Sequence, residues 1–346
     1  MSFSVVIPAH NGEIYLRQAL DSVLAQSRSP DEILLVDDAS TDGTAGIACS
    51  APFAKRIRYV RNARPTGFAA AWNRAAALAT GEFVTLLHQD DLLHPEYLSR
   101  IEQAREKHPD VEHFYAACLT IDGEGRVVAE PPEPHSEEPV RYTGKEYAQR
   151  YLRGVVANRH IHRCPGVTTR RRLLLERCAY RSEAGQLADD DFFLRIGAFT
   201  DVVGIARPFA CYREHDASTT AQLGSLALAL ARDYIFQARQ TSAPGTLLDS
   251  ADIRMVRGQA VRFVNRLLVE GLRHGRQDWV RSAEGFRDEL EMVRPGLMSH
   301  VLPVWARPVW RLAFGGRLRQ AAARGYVHVI DEAVRARDLI RPSGRS

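Results

Sequence analysis

Residues 3–38, FSVVIPAHNGEIYLRQALDSVLAQSRSPDEILLVDD, contain two short apolar runs separated by a longer amphipathic segment. The runs, Phe3–Ala9 and Glu32–Val36, have the length and composition of buried strands. Between them, apolar residues occur at positions 16, 19, 20, 23 and 24, which is the spacing of one helix face. A strand, a helix and a second strand in this order predict two parallel strands joined by a crossover helix.

The same alternation continues to about residue 87. We predict a short helix, a third strand, an alanine-rich helix and a fourth strand, at Thr44–Cys49, Ile57–Arg61, Gly67–Ala79 and Glu82–Leu87. Gly81 is a typical stop signal for the alanine-rich helix. Alternating strands and helices form a mainly parallel central sheet flanked by helices, so the predicted fold class is α/β and Rossmann-like.

Acidic residues directly follow the second and fourth predicted strands. Asp37 and Asp38 come after the second, Asp90 and Asp91 come after the fourth, and residues 9–12, Ala-His-Asn-Gly, follow the first. Ligands of such sheets bind beyond the carboxyl ends of the strands, so we expect these segments to share one crevice. Two adjacent carboxylates repel each other, which favours a bound cation. A helix N-cap at Asp91 is the alternative interpretation.

The pattern changes after about residue 110. EHFYAACLTIDGEGRVV, residues 112–128, is typical of a hairpin with Asp-Gly at its turn. The Pro- and Glu-rich residues 129–140 indicate an exposed, mobile loop. A helix is predicted over Gly144–Leu152, and the pattern beyond about residue 218 is helical.

Charge is unevenly distributed along the chain. The net charge of +4 combines +8 over residues 250–346, which hold 18 arginines, no lysine and 10 acids, with −4 over the remainder. Met292–Ile330 contains six arginines and no acid, together with Trp305, Trp310 and Phe314. Such a segment suits peripheral contact with a membrane surface, and it suits packing against the rest of the protein equally well.

The sequence shows no membrane-spanning or export signal. No run of 18 apolar residues occurs, and MSFSVVIPAHNG lacks the basic region and cleavage site of a signal peptide. The five cysteines are widely spaced without a Cys-x-x-Cys pair, which indicates neither a disulfide framework nor a zinc knuckle. We therefore expect a reduced, cytoplasmic compartment.

Five segments together resemble the family 2 glycosyltransferases, which have the GT-A fold. In order they are SVVIPAHNGEIYLRQALDSVLAQS, EILLVDDASTDGT, GEFVTLLHQDD, ADDDFFLRI and YREH. Each is weak alone, but their order and spacing are specific, and the resemblance covers residues 3 to about 216. It implies a GT-A catalytic domain at 1–216, with a nucleotide-binding part at 1–110 and an acceptor part at 111–216. A basic helical region would follow at 217–346.

The resemblance implies an inverting, metal-dependent transfer of a sugar from a nucleotide-diphosphate sugar, with UDP as the favoured nucleotide. The implied acceptor is a glycan or a lipid-linked sugar at the inner membrane face, in polysaccharide or cell-surface glycan synthesis. No nucleic-acid partner is expected. A sugar nucleotidyltransferase is an alternative, but it would need a Gly-rich basic loop after the first strand, where AHNGEIY has one glycine and no basic residue before Arg17.

The resemblance also assigns site residues. It places the nucleotide base and ribose against Pro8, Ala9, Asn11, Asp37 and Asp38, and the rest of the donor against His88, Asp90 and Arg213. A cation, Mn²⁺ or Mg²⁺, would be held by Asp90, Asp91 and His215. Asp189 corresponds to the general base that takes the proton of the acceptor hydroxyl.

Two positions depart from the family's pattern. The usual Asp-x-Asp-Asp is His88-Gln89-Asp90-Asp91 here, so an imidazole that can bind ribose or a metal replaces the first acid. The usual Glu-Asp pair is Ala188-Asp189, and Asp190 and Asp191 crowd beside it. Crowding can raise the pKa of one carboxyl, although acids at this point also favour a helix N-terminus. A sugar-nucleotide-binding protein that has lost activity therefore remains a second alternative.

Overall fold

The structure, a computed structural model, describes residues 1–132, 136–157, 159–215, 227–241, 246–273 and 275–293. The described part divides into two compact units. The first takes in the residues up to 215 together with Gln240–Val256, and the second takes in 227–239 and the residues from Arg257 onward. The functional division of the chain at residue 216 stays a prediction.

The N-terminal half of the first unit confirms the predicted α/β alternation. Four parallel strands lie in the order β3-β2-β1-β4. Every residue of β1 is buried because the strand lies between β2 and β4, which explains its nearly unbroken apolar run. The elements are β1 (Phe3–Ala9), α1 (Leu16–Leu24), β2 (Glu32–Asp37), α2 (Thr44–Ala48), a 3₁₀ turn (Phe53–Lys55), β3 (Arg58–Arg61), α3 (Phe68–Leu78) and β4 (Phe83–Leu86).

The remaining strands extend this sheet in mixed orientation. After β4 the order continues through β9 (Val167–Arg170), β6 (His113–Ile121), β10 (Val202–Arg213) and β5 (Leu92–Leu93). Strand β9 is antiparallel to β4 and β6, whereas β6 and β10 are parallel. The sheet is therefore parallel where the sequence predicts it and mixed as a whole.

The predicted hairpin is confirmed. Strand β7 (Val127–Ala129) pairs antiparallel with β6. Strand β8 (Val140–Tyr142) pairs antiparallel with β10 and begins at the end of the stretch predicted as a loop, of which residues 133–135 lie outside the described part.

The core lies between the sheet and its covering helices. Rings from three strands pack in a row, with centroids 5.9 Å apart for Phe3 and Phe83 and 6.0 Å apart for Phe83 and Phe114. Complete burial of each such side chain contributes about 1.5–3 kcal/mol. Helix α4 (Tyr97–Lys107) packs on β6 and β10, and short helix α6 (Arg171–Glu176) packs on α3.

Two helices in the C-terminal half of this unit pack on each other, and the second of them carries the acidic segment. Helix α5 (Gly144–Val156) begins at a capping box in which the Thr143 and Glu146 side chains each accept a hydrogen bond from the other residue's backbone N–H. Helix α7 (Ala188–Ile196) follows a 3₁₀ segment, Ser182–Leu187. The helices pack so closely that a Cβ placed on Gly144 would overlap the Gly197 carbonyl.

The helical pattern predicted beyond residue 218 is confirmed in the described residues. They form α8 (Ala227–Thr241), α9 (Ser250–Arg273) and α10 (Gln277–Val293). Within the second unit, the rings of Tyr234 and Phe263 stack at 4.1 Å. No helix of the described ranges is both long enough and apolar enough to cross a membrane. The predicted basic, aromatic segment beyond residue 293 lies outside the described residues.

We predict that Gly144→Ala lowers the free energy of unfolding by about 1–3 kcal/mol, because an added methyl group overpacks the contact with Gly197. Gly46→Ala in α2 is the matched control, since a Cβ there meets nothing within 4 Å. Urea unfolding of both variants measures the difference. Equal stabilities for the two variants would show that the contact between α5 and α7 is loose.

Candidate active site

The loop after β4 is fastened to the loop after β1 by one side-chain amide. The Gln89 Oε1 atom accepts from the His10 backbone N–H at 2.8 Å, and the Gln89 Nε2 atom donates to the His10 carbonyl at 3.1 Å. A Cβ on the next glycine, Gly12, would overlap the Gln89 side chain. This paired contact holds the two strand ends at the edge of one crevice, as expected from the parallel order of β1 and β4.

The residues predicted to meet the nucleotide base and ribose lie together. Pro8 and Ala9 end β1 and stand opposite Val36 and Asp37 of β2. Asn11 has a positive φ of 53°. The Asn11 backbone N–H donates to Ser40 Oγ at 2.9 Å, and its side-chain oxygen accepts from the Thr41 N–H at 2.8 Å. The turns after β1 and β2 are thus bound to each other.

Asp37 is buried and saturated by protein donors. Its carboxylate accepts from the Ser40 backbone N–H at 2.7 Å, from the Tyr59 hydroxyl at 2.6 Å and from Arg61 at 3.0 Å. Burial raises the pKa of Asp37, but the hydrogen bonds from Ser40 and Tyr59 outweigh it, so the pKa lies below its ordinary value. The carboxylate is therefore an anion that holds the turn after β2.

Asp38 is saturated in the same way by the segment before α3. It accepts from the Asn62 side chain at 2.7 Å, from the Thr66 hydroxyl at 2.8 Å and from the Gly67 N–H at 3.1 Å. Burial raises its pKa, yet the hydrogen bonds from Asn62 and Thr66 leave the pKa below its ordinary value. A nucleotide base bonded to Asp37 or Asp38 would have to replace one of these donors, and that role stays a prediction.

The loop after β4 brings together an imidazole and two carboxylates. One ligand atom each from His88, Asp90 and Asp91 lies within 4.8 Å of the other two. Asp91 is 1% exposed, and its Oδ2 atom lies 3.5 Å from His88 Nδ1, which is long for a hydrogen bond. Asp91 does not cap α4, whose N-cap residue is Glu96, so the alternative interpretation from the sequence is wrong.

This cluster fits a divalent cation. Among the described residues, the buried atoms His88 Nε2 and Asp91 Oδ2 have no hydrogen-bond partner. Unpartnered buried atoms are costly unless a ligand satisfies them. Burial lowers the pKa of His88, but Cys164 and Asp91 outweigh it and raise the pKa above its ordinary value. Burial raises the pKa of Asp91 to about 6. Two carboxylates and an imidazole suit Mn²⁺ better than Mg²⁺, which prefers oxygen ligands only.

The Arg213 side chain points into the protein. Its guanidinium donates to the Asp90 carbonyl at 2.8 Å, to the Asp122 carbonyl at 3.1 Å and to Gln18 Oε1 at 2.8 Å, and it lies 4.6 Å from the Tyr15 ring centroid. The Arg213 backbone N–H donates to Asp91 Oδ1 at 2.8 Å. The residue thus positions the two aspartates, and direct contact with a phosphate stays a prediction.

His215, predicted as a metal ligand, lies beside one of the acids. Its Nε2 atom is 3.1 Å from Asp90 Oδ2, and its ring packs on Tyr15 at 4.7 Å. The cluster whose ligand atoms lie within 4.8 Å of one another contains His88, which the sequence assigned to the donor, and does not contain His215.

The three acids at the start of α7 have different surroundings. Asp191 is buried and paired with Arg181 and Arg195. Asp190 accepts from the Tyr151 hydroxyl at 2.6 Å, and burial together with the Asp189 charge raises its pKa to about 7. Asp189 accepts only the Asp190 backbone N–H, at 2.9 Å, among the contacts of the described residues. Burial raises its pKa above the ordinary value.

Sequence reasoning missed the residues that support the cluster. Trp72 of α3 stacks on the His88 ring, with centroids 5.1 Å apart and planes 24° apart, and it meets Tyr180 edge-on at 5.0 Å. A tryptophan in an otherwise alanine-rich helix was the available signal. Gln89 is the variable position of the motif, yet its amide connects two loops.

Solved structures share the fold of this chain. S. aureus TarS 1–349 in complex with UDP matches with a TM-score of 0.59 and 17% identity, covering 97% of this chain and 92% of that one. The same protein in complex with UDP-GlcNAc matches with a TM-score of 0.53 and 17% identity, covering 86% and 92%. At this identity the likeness shows the fold alone, which confirms the GT-A expectation.

The sequence places the chain in a family. The model of Glycosyl transferase family 2 matches residues 4–176, half of the chain, and the chain belongs to that family. Relatives include EpsE of Bacillus subtilis, 34% identical over 38% of this chain and 49% of the relative. The glycosyltransferase GlyG of Streptococcus pneumoniae is 34% identical over 31% and 36%. The matched part spans about half the length, or less, of these relatives.

We predict that His88→Asp tightens Mn²⁺ binding on the order of tenfold, because cation affinity rises with the number of charged ligands. His108→Asp is the control variant, because it makes the same change of charge outside the site. Titration of Mn²⁺, followed by the electron paramagnetic resonance of the free ion, measures both variants. Unchanged or weaker binding by His88→Asp alone would assign His88 to another role, most directly the donor ribose.

Proposed function

We propose that this protein is an inverting, metal-dependent glycosyltransferase that takes its sugar from a UDP-sugar. The observation that carries the proposal is the pairing of a cation-binding cluster with a carboxylate free to act as a base. The cluster is His88, Asp90 and Asp91 at the end of β4, and the base is Asp189 at the start of α7. The family to which the chain belongs supports the transfer of a glycosyl group.

The three acids on α7 differ in their hydrogen-bond partners, and this difference favours Asp189 as the base. Asp191 is committed to two arginines, and Asp190 is committed to the Tyr151 hydroxyl. Asp189 keeps one carboxylate oxygen without a hydrogen bond from the described residues. It also interacts electrostatically with His88 of the cluster. A raised pKa brings a carboxylate closer to the pH at which it transfers protons well.

The transfer forms one bond and breaks one. The acceptor hydroxyl oxygen attacks the anomeric carbon from the side opposite the diphosphate, and its proton passes to Asp189. The bond between the anomeric carbon and the diphosphate oxygen breaks, and its electron pair leaves with the diphosphate. Attack from the opposite side inverts the anomeric configuration. A general base in such a step contributes about 10²–10⁴ in rate.

His88, Asp90 and Asp91 would hold the cation, Mn²⁺ in preference to Mg²⁺. When bound, the ion neutralises charge on the leaving diphosphate. The protein prepares this site with long-range contacts. Arg213 holds the Asp90 carbonyl and one oxygen of Asp91, and Trp72 supports the His88 ring. These contacts orient the ligands before a donor binds.

A uridine nucleotide is favoured as the donor's leaving group. TarS, whose fold this chain shares, has been solved with UDP and with UDP-GlcNAc. In this chain the turns after β1 and β2 form the adjoining wall of the crevice, with Asn11 fixed by Ser40 and Thr41. We extend the proposal to a glycan or lipid-linked acceptor at the cytoplasmic face of a membrane, on the basis of the family resemblance alone.

Two observations favour a second candidate, a donor-binding protein without transfer activity. His88 lies against Asp91 and can neutralise it, and Ala188, where the family has an acid, is fully buried. Hydrolysis of the donor in the absence of acceptor separates the two candidates. Release of UDP from a UDP-sugar that requires Mn²⁺ supports the transferase, whereas binding without release supports the second candidate.

We predict that Asp189→Asn lowers kcat by about 10²–10⁴ and leaves UDP-sugar affinity within about twofold, because the change removes a base and keeps its shape. Glu183→Gln, an exposed acid on the preceding 3₁₀ segment, is the matched control. Calorimetry of donor binding and turnover of the donor sugar test both halves. Loss of donor binding in step with the rate would move Asp189 to the donor site, and full activity would exclude it as the base.

A further inference from the structure

Arg163 is an arginine near the proposed site whose guanidinium is not hydrogen-bonded within the described residues. Arg163 immediately precedes the 3₁₀ turn Cys164–Gly166, and its side chain is half-buried. Within the ranges that the structure describes, its guanidinium forms no hydrogen bond and no ion pair. Its guanidinium lies over the face of Tyr212, whose ring centroid is 4.8 Å from the guanidinium carbon.

Arg163 is connected with the proposed base by electrostatic interaction and with the cation cluster through its ring contact and its neighbour in the chain. It interacts electrostatically with Asp189 and Asp190 of α7. Tyr212, on which it lies, directly precedes Arg213, whose N–H binds Asp91. The next residue in the chain, Cys164, interacts electrostatically with His88. Arg163 is therefore linked to both halves of the proposed site.

Stacking on Tyr212 orients the guanidinium but leaves its N–H groups without hydrogen-bond acceptors in the described residues. A cation above an aromatic ring is attracted to the ring face, which leaves the N–H groups at the edge of the guanidinium available. These N–H groups form a planar fork that matches a phosphate or a carboxylate. The nearby acids do not fill the fork, since Asp190 is bonded to Tyr151 and Asp191 to Arg181 and Arg195.

Arg213 cannot bind a phosphate in place of Arg163 unless its side chain moves. Arg213 already donates to three backbone carbonyls and to Gln18. The reaction nevertheless brings several phosphate oxygens into a crevice whose own carboxylates repel them. A second cationic group that is oriented and unoccupied is what such a ligand needs.

We propose that the Arg163 guanidinium binds phosphate oxygens during the reaction. The inference rests on the proposed function and names a specificity residue that the sequence motifs do not contain. Two sources offer the same chemistry, namely the diphosphate of the donor and a phosphate group of the acceptor. The two sources differ in when the phosphate arrives, and this difference allows an experiment to separate them.

The test uses the full chain and four proteins: wild type, Arg163→Gln, Arg163→Lys and Arg177→Ala. Arg177 is the matched control, because it also stacks on a ring, that of Phe199 at 5.0 Å, but lies away from the crevice. Calorimetry measures the affinity of each protein for three ligands. These are UDP in the presence of Mn²⁺, uridine, and inorganic phosphate, the last added to protein already saturated with UDP and Mn²⁺. Thermal unfolding of each variant confirms that it is folded.

We expect Arg163→Gln to weaken either UDP or phosphate binding by about 10- to 100-fold, the usual effect of losing charged hydrogen bonds. The affinity for uridine should not change, and Arg163→Lys should lose less affinity for UDP or phosphate than Arg163→Gln does. Weaker UDP binding identifies the donor diphosphate, and weaker phosphate binding alone identifies the acceptor. Affinities for both within twofold of Arg177→Ala would overturn the inference while leaving the proposed function intact. A wild type that does not bind UDP with Mn²⁺ would instead overturn the proposed function.

Discussion

Asp91 is a carboxylate that is almost completely removed from water at the end of a buried strand, and the site depends on how its charge is compensated. One oxygen accepts the backbone N–H of Arg213 at the end of β10, and the other faces His88. The first contact ties together parts of the chain 122 residues apart. Because an unpaired buried charge is very costly, these contacts fix the loop after β4 in one position.

The buried charge is only partly compensated, and this leaves atoms of the site available to bind a ligand. His88 Nε2 and Asp91 Oδ2 have no hydrogen-bond partner among the described residues, so a cation can add to the loop without breaking a bond. Within the described ranges, one oxygen of Asp189 and the guanidinium of Arg163 accept or donate no hydrogen bond, while Asp190 is bonded to Tyr151. In the proposed function, a donor, a cation and an acceptor hydroxyl would use these groups.

Local patterns were sufficient to predict the fold of the first hundred residues and the hairpin after it, because buried strands and amphipathic helices follow from periodicity. The motifs also placed the acids at the correct strand ends. They did not reveal the inward direction of Arg213, which depends on a contact with Gln18, 195 residues away. The support of His88 by Trp72 and the amide link from Gln89 to His10 were missed for the same reason. Such roles arise only when distant segments meet.

The central claim is that the cluster at the end of β4 holds a cation that binds the donor's diphosphate. The most direct measurement is calorimetric titration of UDP into wild type and Asp91→Asn, each with Mn²⁺ and with a chelator, with Asp110→Asn as an exposed control. We expect UDP to bind wild type and Asp110→Asn only with Mn²⁺, and we expect Asp91→Asn or the chelator to weaken UDP binding by at least about tenfold. Equal UDP affinity with and without Mn²⁺, or in Asp91→Asn, would contradict it.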